Sequence, residues 1–327
     1  MPIAPRPLDP GLGPVFTVGA ALRAGYSPAR MRARDLERPF HGVRRRPESW
    51  PTTDQSGYAG PATSDPGRER LLRDARACLE VAPSHAFLAG RSAAVAWGLP
   101  CDPGDELCIG VLAPHRSPRR PGVRGVKLSA RLTSLRVRDD IRLTSPATTW
   151  AYLAETLSRR ELVVLGDAIV CVPRDDRGQR HPEMQLATLD HLAAAAAAPH
   201  RRHRDDLMRA LENVRVGSMS PLETDFRLIA AAEGLPEPTL DAEIRDRSGR
   251  LLGIGDLLYA EQATIVEVEG DHHRTSRSQW LRDLEKHAAY IAAGYELVRV
   301  GASQVRGHGA TGARTVRAVL QRRGWSG

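Results

Sequence analysis

The stretch GDLLYAEQATIVEVEG, residues 255–270, decides the fold of the C-terminal part of the chain. It contains two apolar, strand-like runs, GDLLYA and ATIVEVEG, separated by the short polar segment around Glu261. Two such runs joined by a few polar residues predict a pair of antiparallel strands with a tight turn. We therefore expect a β-hairpin at the centre of the C-terminal fold.

The segments on either side of this hairpin predict the order αβββαβ. Residues 220–234, SPLETDFRLIAAAEG, predict a helix that begins with Ser220 as N-cap and ends at Gly234. Three further segments complete the order: a first strand in residues 238–246, a second helix in residues 279–294 and a last strand in residues 295–300. The three strands that follow one another directly should form an antiparallel meander.

Acidic side chains are predicted to cluster on one face of this sheet. Because side chains alternate along a strand, Glu267 and Glu269 share a face, and strand pairing brings Asp256 beside Glu267. Such carboxylates repel one another unless a cation is present, and oxygen ligands suit Mg²⁺ or Mn²⁺. The pattern favours a divalent-cation site; the alternative is an exposed sheet face with solvated glutamates.

Two basic groups follow the acidic strand. His273, in the segment GDHHR, is a candidate general base or phosphate contact, although paired histidines in a loop are more often simply exposed. Lys286, on the second helix, would supply positive charge if it turned toward the carboxylates. The alternative for Lys286 is an ordinary helical salt bridge with Asp283.

The charge of the chain is strongly positive and unevenly distributed. Its 327 residues carry 47 Lys and Arg against 39 Asp and Glu, a net charge of +8 that favours a polyanionic partner such as nucleic acid. Residues 251–290 reverse this sign, with seven acidic against four basic residues. An acidic cluster inside a basic protein suggests a cation site that works on a polyanion.

The cellular location of the protein is predicted from targeting and membrane signals in the sequence. No apolar run approaches the roughly 20 residues that span a bilayer, and the N-terminal residues do not resemble a signal peptide, so we expect a cytoplasmic protein without a membrane partner. The four cysteines, Cys78, Cys101, Cys108 and Cys171, have no zinc-type spacing and are expected to be reduced.

The N-terminal residues predict a winged helix-turn-helix. FTVGAALRAG and SPARMRARDL, residues 16–25 and 27–36, predict two helices around a turn at Gly25, and GVRRRP, residues 42–47, predicts a strand or wing. Small helical pairs unrelated to DNA share this pattern. The candidate DNA-binding residues are Arg30, Arg32, Arg34, Arg44, Arg45 and Arg46.

Composition divides the chain into four segments. We expect a DNA-binding domain over residues 1–50, a mixed α/β domain over 67–171, a helical linker over 172–215 and the αβββαβ domain over 216–327. The middle region holds residue types of a hydrolase triad, but their spacing does not join them. These residues are Ser92, Ser145, His85 and Asp167.

About 80 residues of the C-terminal third, from Ser220 to Val300, resemble very-short-patch-repair-like endonucleases, a branch of the PD-(D/E)xK superfamily. The motifs that carry the resemblance are SPLET, GLPEP, GDLLYAEQATIVEVEGDHH, RDLEK and GYELVRV. The resemblance implies a restriction-endonuclease-like core with catalytic Glu223, Asp256 and Glu267, in which Asp256 and Glu267 bind Mg²⁺ or Mn²⁺. Glu269 stands where the superfamily often has lysine, a replacement for which His273 or Lys286 would compensate.

The N-terminal half resembles abortive-infection antitoxins of the AbiEi type, through FTVGAALRAGYSPARMRARDLERPFHGVRRRP, RSAAVAWGLP and RLTSPATTWAYLAE. Those proteins place a winged helix before a mixed domain and repress a toxin operon. Together the resemblances imply a metal-dependent DNA endonuclease or nickase, directed by the N-terminal domain and connected with phage defence. The alternative is a DNA-binding regulator or antitoxin, with a toxin or its operator as partner, whose nuclease fold is not catalytic.

Overall fold

The computed structural model of the chain describes residues 7–46, 66–175, 177–270, 277–306 and 311–327. The chain divides into two compact units, Met1–Leu153 and Ala154–Gly327. Both units mix helices and strands, so the predicted α/β class is confirmed. None of the helices in these described ranges combines the length and the apolar character needed to cross a membrane.

The first unit contains, in its described residues, a two-stranded and a five-stranded sheet. Its elements are β1 (Val15–Thr17), α1 (Val18–Arg23), β2 (Val43–Arg45), α2 (Pro66–Leu79), β3 (Phe87–Leu88), α3 (Gly90–Ala96), β4 (Leu107–Leu112), β5 (Val123–Leu128), β6 (Leu135–Arg138), β7 (Ile141–Thr144) and α4 (Pro146–Leu153). The larger sheet has the order β5-β4-β3-β7-β6. Leu88, Ile109 and Leu143 lie fully buried in its core.

The N-terminal residues belong to this first unit. Strands β1 and β2 pair antiparallel, and Phe16, Ala21 and Met31 form a small buried core beside them. Arg45 of β2 donates to Asp74 of α2 at 2.6 Å. This ion pair joins residues 1–50 to residues 67–171, which were predicted as two domains.

The second helix of the predicted helix-turn-helix does not form. Residues 27–36 contain only a 3-10 turn, Arg30–Arg32. Arginine side chains bond the carbonyl groups that a helix would use, since Arg38 donates to the carbonyl of Arg32 at 2.6 Å and Arg44 donates to that of Met31. The winged helix-turn-helix prediction is thus wrong in its second helix, whereas the strand predicted in residues 42–47 is confirmed as β2.

The second unit is built, in its described part, on a four-stranded sheet of order β11-β10-β9-β8. Its elements are α5 (Arg159–Val170), α6 (Leu189–Ala197), α7 (Arg204–Leu211), α8 (Pro221–Ala232), β8 (Thr239–Arg245), β9 (Leu251–Tyr259), β10 (Thr264–Glu269), α9 (Arg277–Ala292), β11 (Glu296–Gly301), α10 (Ala302–Arg306) and α11 (Thr311–Arg322). From α8 to β11 the order is αβββαβ. Strands β8, β9 and β10 form the predicted antiparallel meander, and β11 is parallel to β10.

Residues 172–215, predicted as a helical linker, lie within the second unit and contain α6 and α7. Leu192 of α6 and Leu207 of α7 are fully buried. Asp167 of α5, one of the triad residue types, pairs with Arg227 of α8 at 2.8 Å, and both side chains are almost completely buried. Helices α5 to α7 therefore pack as structural support for the sheet domain.

Two apolar clusters cover the two faces of the four-stranded sheet. On one face, Val266 and Val268 of β10 pack with Phe226 of α8, and we call this the α8 face. On the other, Ile265 packs with Tyr290 of α9, and we call this the α9 face. Alternating residues of β10 thus serve opposite faces, as the two-residue period of a strand requires.

Strand β8 changes the face of its side chains at Asp241. Leu240 packs against the cluster on the α8 face, whereas Ala242 belongs to the cluster on the α9 face. Strict alternation would place two residues so spaced on the same face. Asp241 has a φ of 48°, in the left-handed region, and this local backbone irregularity accounts for the change.

Strand β9 changes face at the same level. Leu257 belongs to the α8 face, but a side chain at Gly255 would meet Ile265 of the α9 face. The two strands pair in register on both sides of this level, so Asp241 lies opposite Asp256. Asp256 therefore sits at a break in the regular sheet.

Candidate functional site

The first acidic residue of the site, Glu223, lies at the start of α8. Ser220 caps this helix, because its hydroxyl accepts the backbone N–H of Glu223 at 3.2 Å. Glu223 is 7% exposed, and its carboxylate accepts the N–H of Met219 at 2.8 Å. Burial raises the pKa of Glu223 to about 7, and the charges of Glu267 and Asp241 act in the same direction.

Asp256 lies at the break in β9. Its Oδ2 atom accepts the backbone N–H of Val268, on the neighbouring strand β10, at 2.8 Å. Burial raises the pKa of Asp256 well above its usual value, and the charges of Glu223 and Glu267 add to this effect. The Val268 bond and the charge of Lys286 oppose the increase without cancelling it.

Glu267 forms an ion pair with Lys286, which contributes a positive charge to the site. The Lys286 ammonium lies 3.2 Å from Oε1 of Glu267 and 3.4 Å from the carbonyl oxygen of Ile254. Tyr290, one turn further along α9, donates its hydroxyl to the same carbonyl at 3.1 Å, and its ring centre lies 5.7 Å from the ammonium. Lys286 is therefore held toward the carboxylates by a second residue of its own helix.

Glu269 follows Glu267 at the end of β10 and is engaged elsewhere. Its carboxylate accepts hydrogen bonds from the guanidinium of Arg299 on β11. The structure therefore brings Glu223, Asp256 and Glu267 together with Lys286, and it places Glu269 in an ion pair at the sheet end. His273, the remaining candidate, lies outside the described residues.

Two arginines outside the predicted site fix the break in the sheet. Arg174 donates to the carboxylate of Asp241 at 2.7 Å and to its carbonyl at 3.1 Å. Arg180 makes the same two kinds of bond, at 3.0 Å each. We call this arrangement the arginine clamp. Asp241 is 4% exposed, so the clamp supplies the counter-charge that a buried carboxylate needs.

The clamp and Tyr290 were missed by sequence reasoning. Arg174 and Asp241 are 67 residues apart, and no local pattern joins them. Tyr290 occupies an apolar position of an amphipathic helix, which by itself indicates only core packing. Its contact with the Ile254 carbonyl requires knowledge of how α9 crosses β9.

Most of the predicted DNA-binding arginines make hydrogen bonds within the first unit. Arg30 forms a two-bond ion pair with Asp35, at 2.9 and 2.7 Å. Arg44 donates to backbone carbonyls, Arg45 pairs with Glu37 and Asp74, and Arg46 donates to the carbonyls of Leu8 and Asp9. The other two predicted arginines, Arg32 and Arg34, are exposed. Four of the six predicted arginines therefore use their guanidinium groups for contacts within the first unit.

The acidic side chains at the sheet break provide oxygen atoms of the kind that bind small divalent cations. Asp256 and Glu267 offer hard carboxylate oxygens, and Mg²⁺ usually takes one or two carboxylates together with waters and substrate oxygens. Over the described ranges of the chain, no group of three or more His, Cys, Asp or Glu side chains has the arrangement of a metal centre. The pKa values of Glu223 and Asp256 are raised chiefly by burial, and the charges of the neighbouring carboxylates add to both shifts.

Comparison with known proteins does not assign this site. No family model matches the chain, and no curated protein matches it.

Proposed function

We propose that the second unit is a metal-dependent endodeoxyribonuclease of the PD-(D/E)xK type, which hydrolyses phosphodiester bonds. The observation that carries the proposal is the convergence of Asp256, Glu267 and Lys286 at one break in an αβββαβ sheet. Two carboxylates beside a lysine are the residue types that such hydrolysis uses. The resemblance of these motifs to very-short-patch-repair-like endonucleases supports the same assignment.

In this proposal Asp256 and Glu267 hold Mg²⁺ or Mn²⁺. Bound there, the ion would supply a water of lowered pKa and positive charge for the phosphodiester oxygens. Lys286 pairs with Glu267 and adds positive charge where negative charge builds up on the phosphate. Burial raises the pKa of Glu223 to about 7, so this side chain gains or loses a proton close to neutral pH when no cation is bound.

Lys286 takes the place of the lysine that the third strand lacks. Glu269 occupies the strand position that often holds lysine. Its carboxylate forms an ion pair with Arg299 at the end of the sheet. The ammonium of Lys286 reaches the same carboxylate, Glu267, from helix α9. The proposed active site therefore consists of Asp256, Glu267 and Lys286, with Glu223 as an additional acid.

A second candidate function is a DNA-binding regulator or antitoxin with a non-catalytic nuclease fold. The observation that favours it is the acidic residue Glu269 at the lysine position. The AbiEi resemblance of the N-terminal half gives this function a toxin, or the operator of a toxin gene, as partner.

Plasmid nicking distinguishes the two functions. The full-length protein should convert supercoiled plasmid to the nicked or linear form with Mg²⁺ or Mn²⁺, and Asp256→Asn and Glu267→Gln should abolish the conversion. Glu269→Gln is the matched control, because it removes a neighbouring carboxylate that pairs with Arg299. Absence of cleavage with either metal, together with tight operator binding, would favour the regulator.

A further inference from the structure

A strongly basic segment of the first unit is not used by the proposed active site. Residues 111–138 contain eight basic residues and no acidic one. Within this segment Arg116, Arg119 and Lys127 are exposed. This concentration of positive charge needs a physical explanation, because like charges held close together destabilise the folded state.

The loop between β4 and β5 lies against β5, so three of the exposed basic residues occupy neighbouring backbone positions. The carbonyl oxygen of Pro118 lies 2.0 Å from where a Cβ at Gly125 would be, so the loop backbone covers β5 at this glycine. Lys127 lies two residues beyond Gly125 and shares its face by strand alternation. Arg119 follows Pro118 directly, and Arg116 precedes it by two residues. We call Arg116, Arg119 and Lys127 the basic surface.

This loop is fixed at several points. Ala113 donates its N–H to the carbonyl of Leu128 at 2.8 Å, and Arg120 donates to the carbonyl of Val81 at 2.8 Å. The ring of His115 stacks on that of His85 with 3.9 Å between the ring centres. Because the backbone is held in place, a ligand that binds the basic surface loses little free energy in ordering the loop.

Protection of a sheet edge explains only part of this charge. Strand β5 is an edge strand, and lysine on such a strand prevents pairing with another chain. Arg116 and Arg119 lie on the loop and have no such role. We propose that the basic surface of the first unit binds the phosphate backbone of duplex DNA. Arginine and lysine are the side chains that hold phosphate oxygens, and such contacts position a protein on DNA without reading its sequence.

The assignment goes beyond the proposed nuclease function and moves DNA binding to a new place. The sequence predicted DNA contacts from six arginines, of which Arg32 and Arg34 are exposed and the other four make contacts inside the unit. The basic surface lies in a part of the chain for which no DNA contact was predicted. Its binding is measured without a divalent cation and so does not depend on cleavage.

The test is the salt dependence of DNA binding by the full-length protein. Fluorescence anisotropy with a short labelled duplex, in EDTA, gives the slope of log affinity against log salt concentration. The triple variant Arg116→Gln, Arg119→Gln, Lys127→Gln should lower the magnitude of this slope by up to about 2.7, since each phosphate contact contributes about 0.9. Its affinity should fall equally for duplexes of unrelated sequence.

The matched control removes three other exposed charges of the same segment. The triple variant Arg124→Gln, Arg131→Gln, Arg136→Gln has the same net charge but keeps the basic surface, so its slope should stay close to that of the wild type. Equal loss in both triple variants would overturn the localisation. An unchanged slope in the first variant, or equally strong binding of poly-glutamate, would overturn the proposal. Circular dichroism of both variants checks that they fold.

Discussion

The ammonium nitrogen of Lys286, on helix α9, lies 3.2 Å from carboxylate oxygen Oε1 of Glu267, on strand β10. A cation supplied by a helix thus stands beside an acid supplied by the sheet. Because Tyr290 contacts both the ammonium and the carbonyl of Ile254, the position of Lys286 depends on how α9 packs over β9.

Replacement of Lys286 by methionine should reduce plasmid nicking by about 10²–10³-fold, because a preorganised group that stabilises the developing charge is lost. The length of the side chain and its contact with Tyr290 are largely kept. Single-turnover nicking rates measure the effect. Glu285→Gln, at an exposed neighbouring position of α9, should nick at the wild-type rate. A wild-type rate for Lys286→Met would remove this lysine from the active site.

Divalent cations should stabilise the wild-type protein, because they balance the carboxylates at the sheet break. At a hundredfold excess of Mg²⁺ over its dissociation constant, the free energy of unfolding should rise by about 2.7 kcal/mol. Thermal unfolding with and without Mg²⁺ measures this difference. It should disappear in Asp256→Asn and persist in Asp190→Asn, which alters an exposed aspartate of α6. Persistence of the full effect in Asp256→Asn would place the cation elsewhere.

Without divalent cations, the stability of the protein should fall as pH rises between about 4.5 and 7. The folded state keeps a proton on Glu223, whose pKa is raised from 4.5 to about 7, whereas the unfolded chain loses it near the lower value. The ionised form therefore costs up to about 3 kcal/mol at and above neutral pH. Asp256 acts in the same direction.

Glu223→Gln should flatten this pH dependence, which urea unfolding at several pH values in EDTA will show. The glutamine keeps an oxygen that can accept the N–H of Met219 but has no charge to titrate. A variant that still loses as much stability as the wild type across this window would show that Glu223 does not hold the proton.

Removal of Arg174 should destabilise the second unit by about 3–5 kcal/mol, because Arg174→Met leaves the buried carboxylate of Asp241 short of its counter-charge. The double variant Arg174→Met, Asp241→Asn should recover part of the loss, since the uncompensated charge is gone. Urea unfolding measures both variants. Arg177→Met, an exposed neighbour, should have almost no effect, and a similarly small effect of Arg174→Met would refute the role of the clamp.

The local elements of the second unit were predictable because their determinants are local. Ser220 caps α8 as its position before a proline and an apolar run predicts. The alternation of Val266 and Val268 with Glu267 and Glu269 requires only the period of a strand. These patterns give the helix, the strands and their order.

What the sequence did not reveal depends on contacts between distant residues. The left-handed backbone of Asp241 is unusual for a residue other than glycine, and it is held by arginines more than 60 positions away. The residues around Arg30 illustrate the opposite error. A helix-like pattern does not form a helix there, and the carbonyl groups of Arg32 and Met31 accept bonds from the side chains of Arg38 and Arg44.

The arginine clamp also determines which piece of this chain could be transplanted. A fragment that starts at Ser220 would retain every proposed catalytic side chain, yet it would lack Arg174, Arg180 and Asp167, the partners of Asp241 and Arg227. A fragment cut at Ser220 would therefore contain buried charges without their partners. A fragment that keeps these ion pairs begins near Ala154, some 60 residues before the motif SPLET.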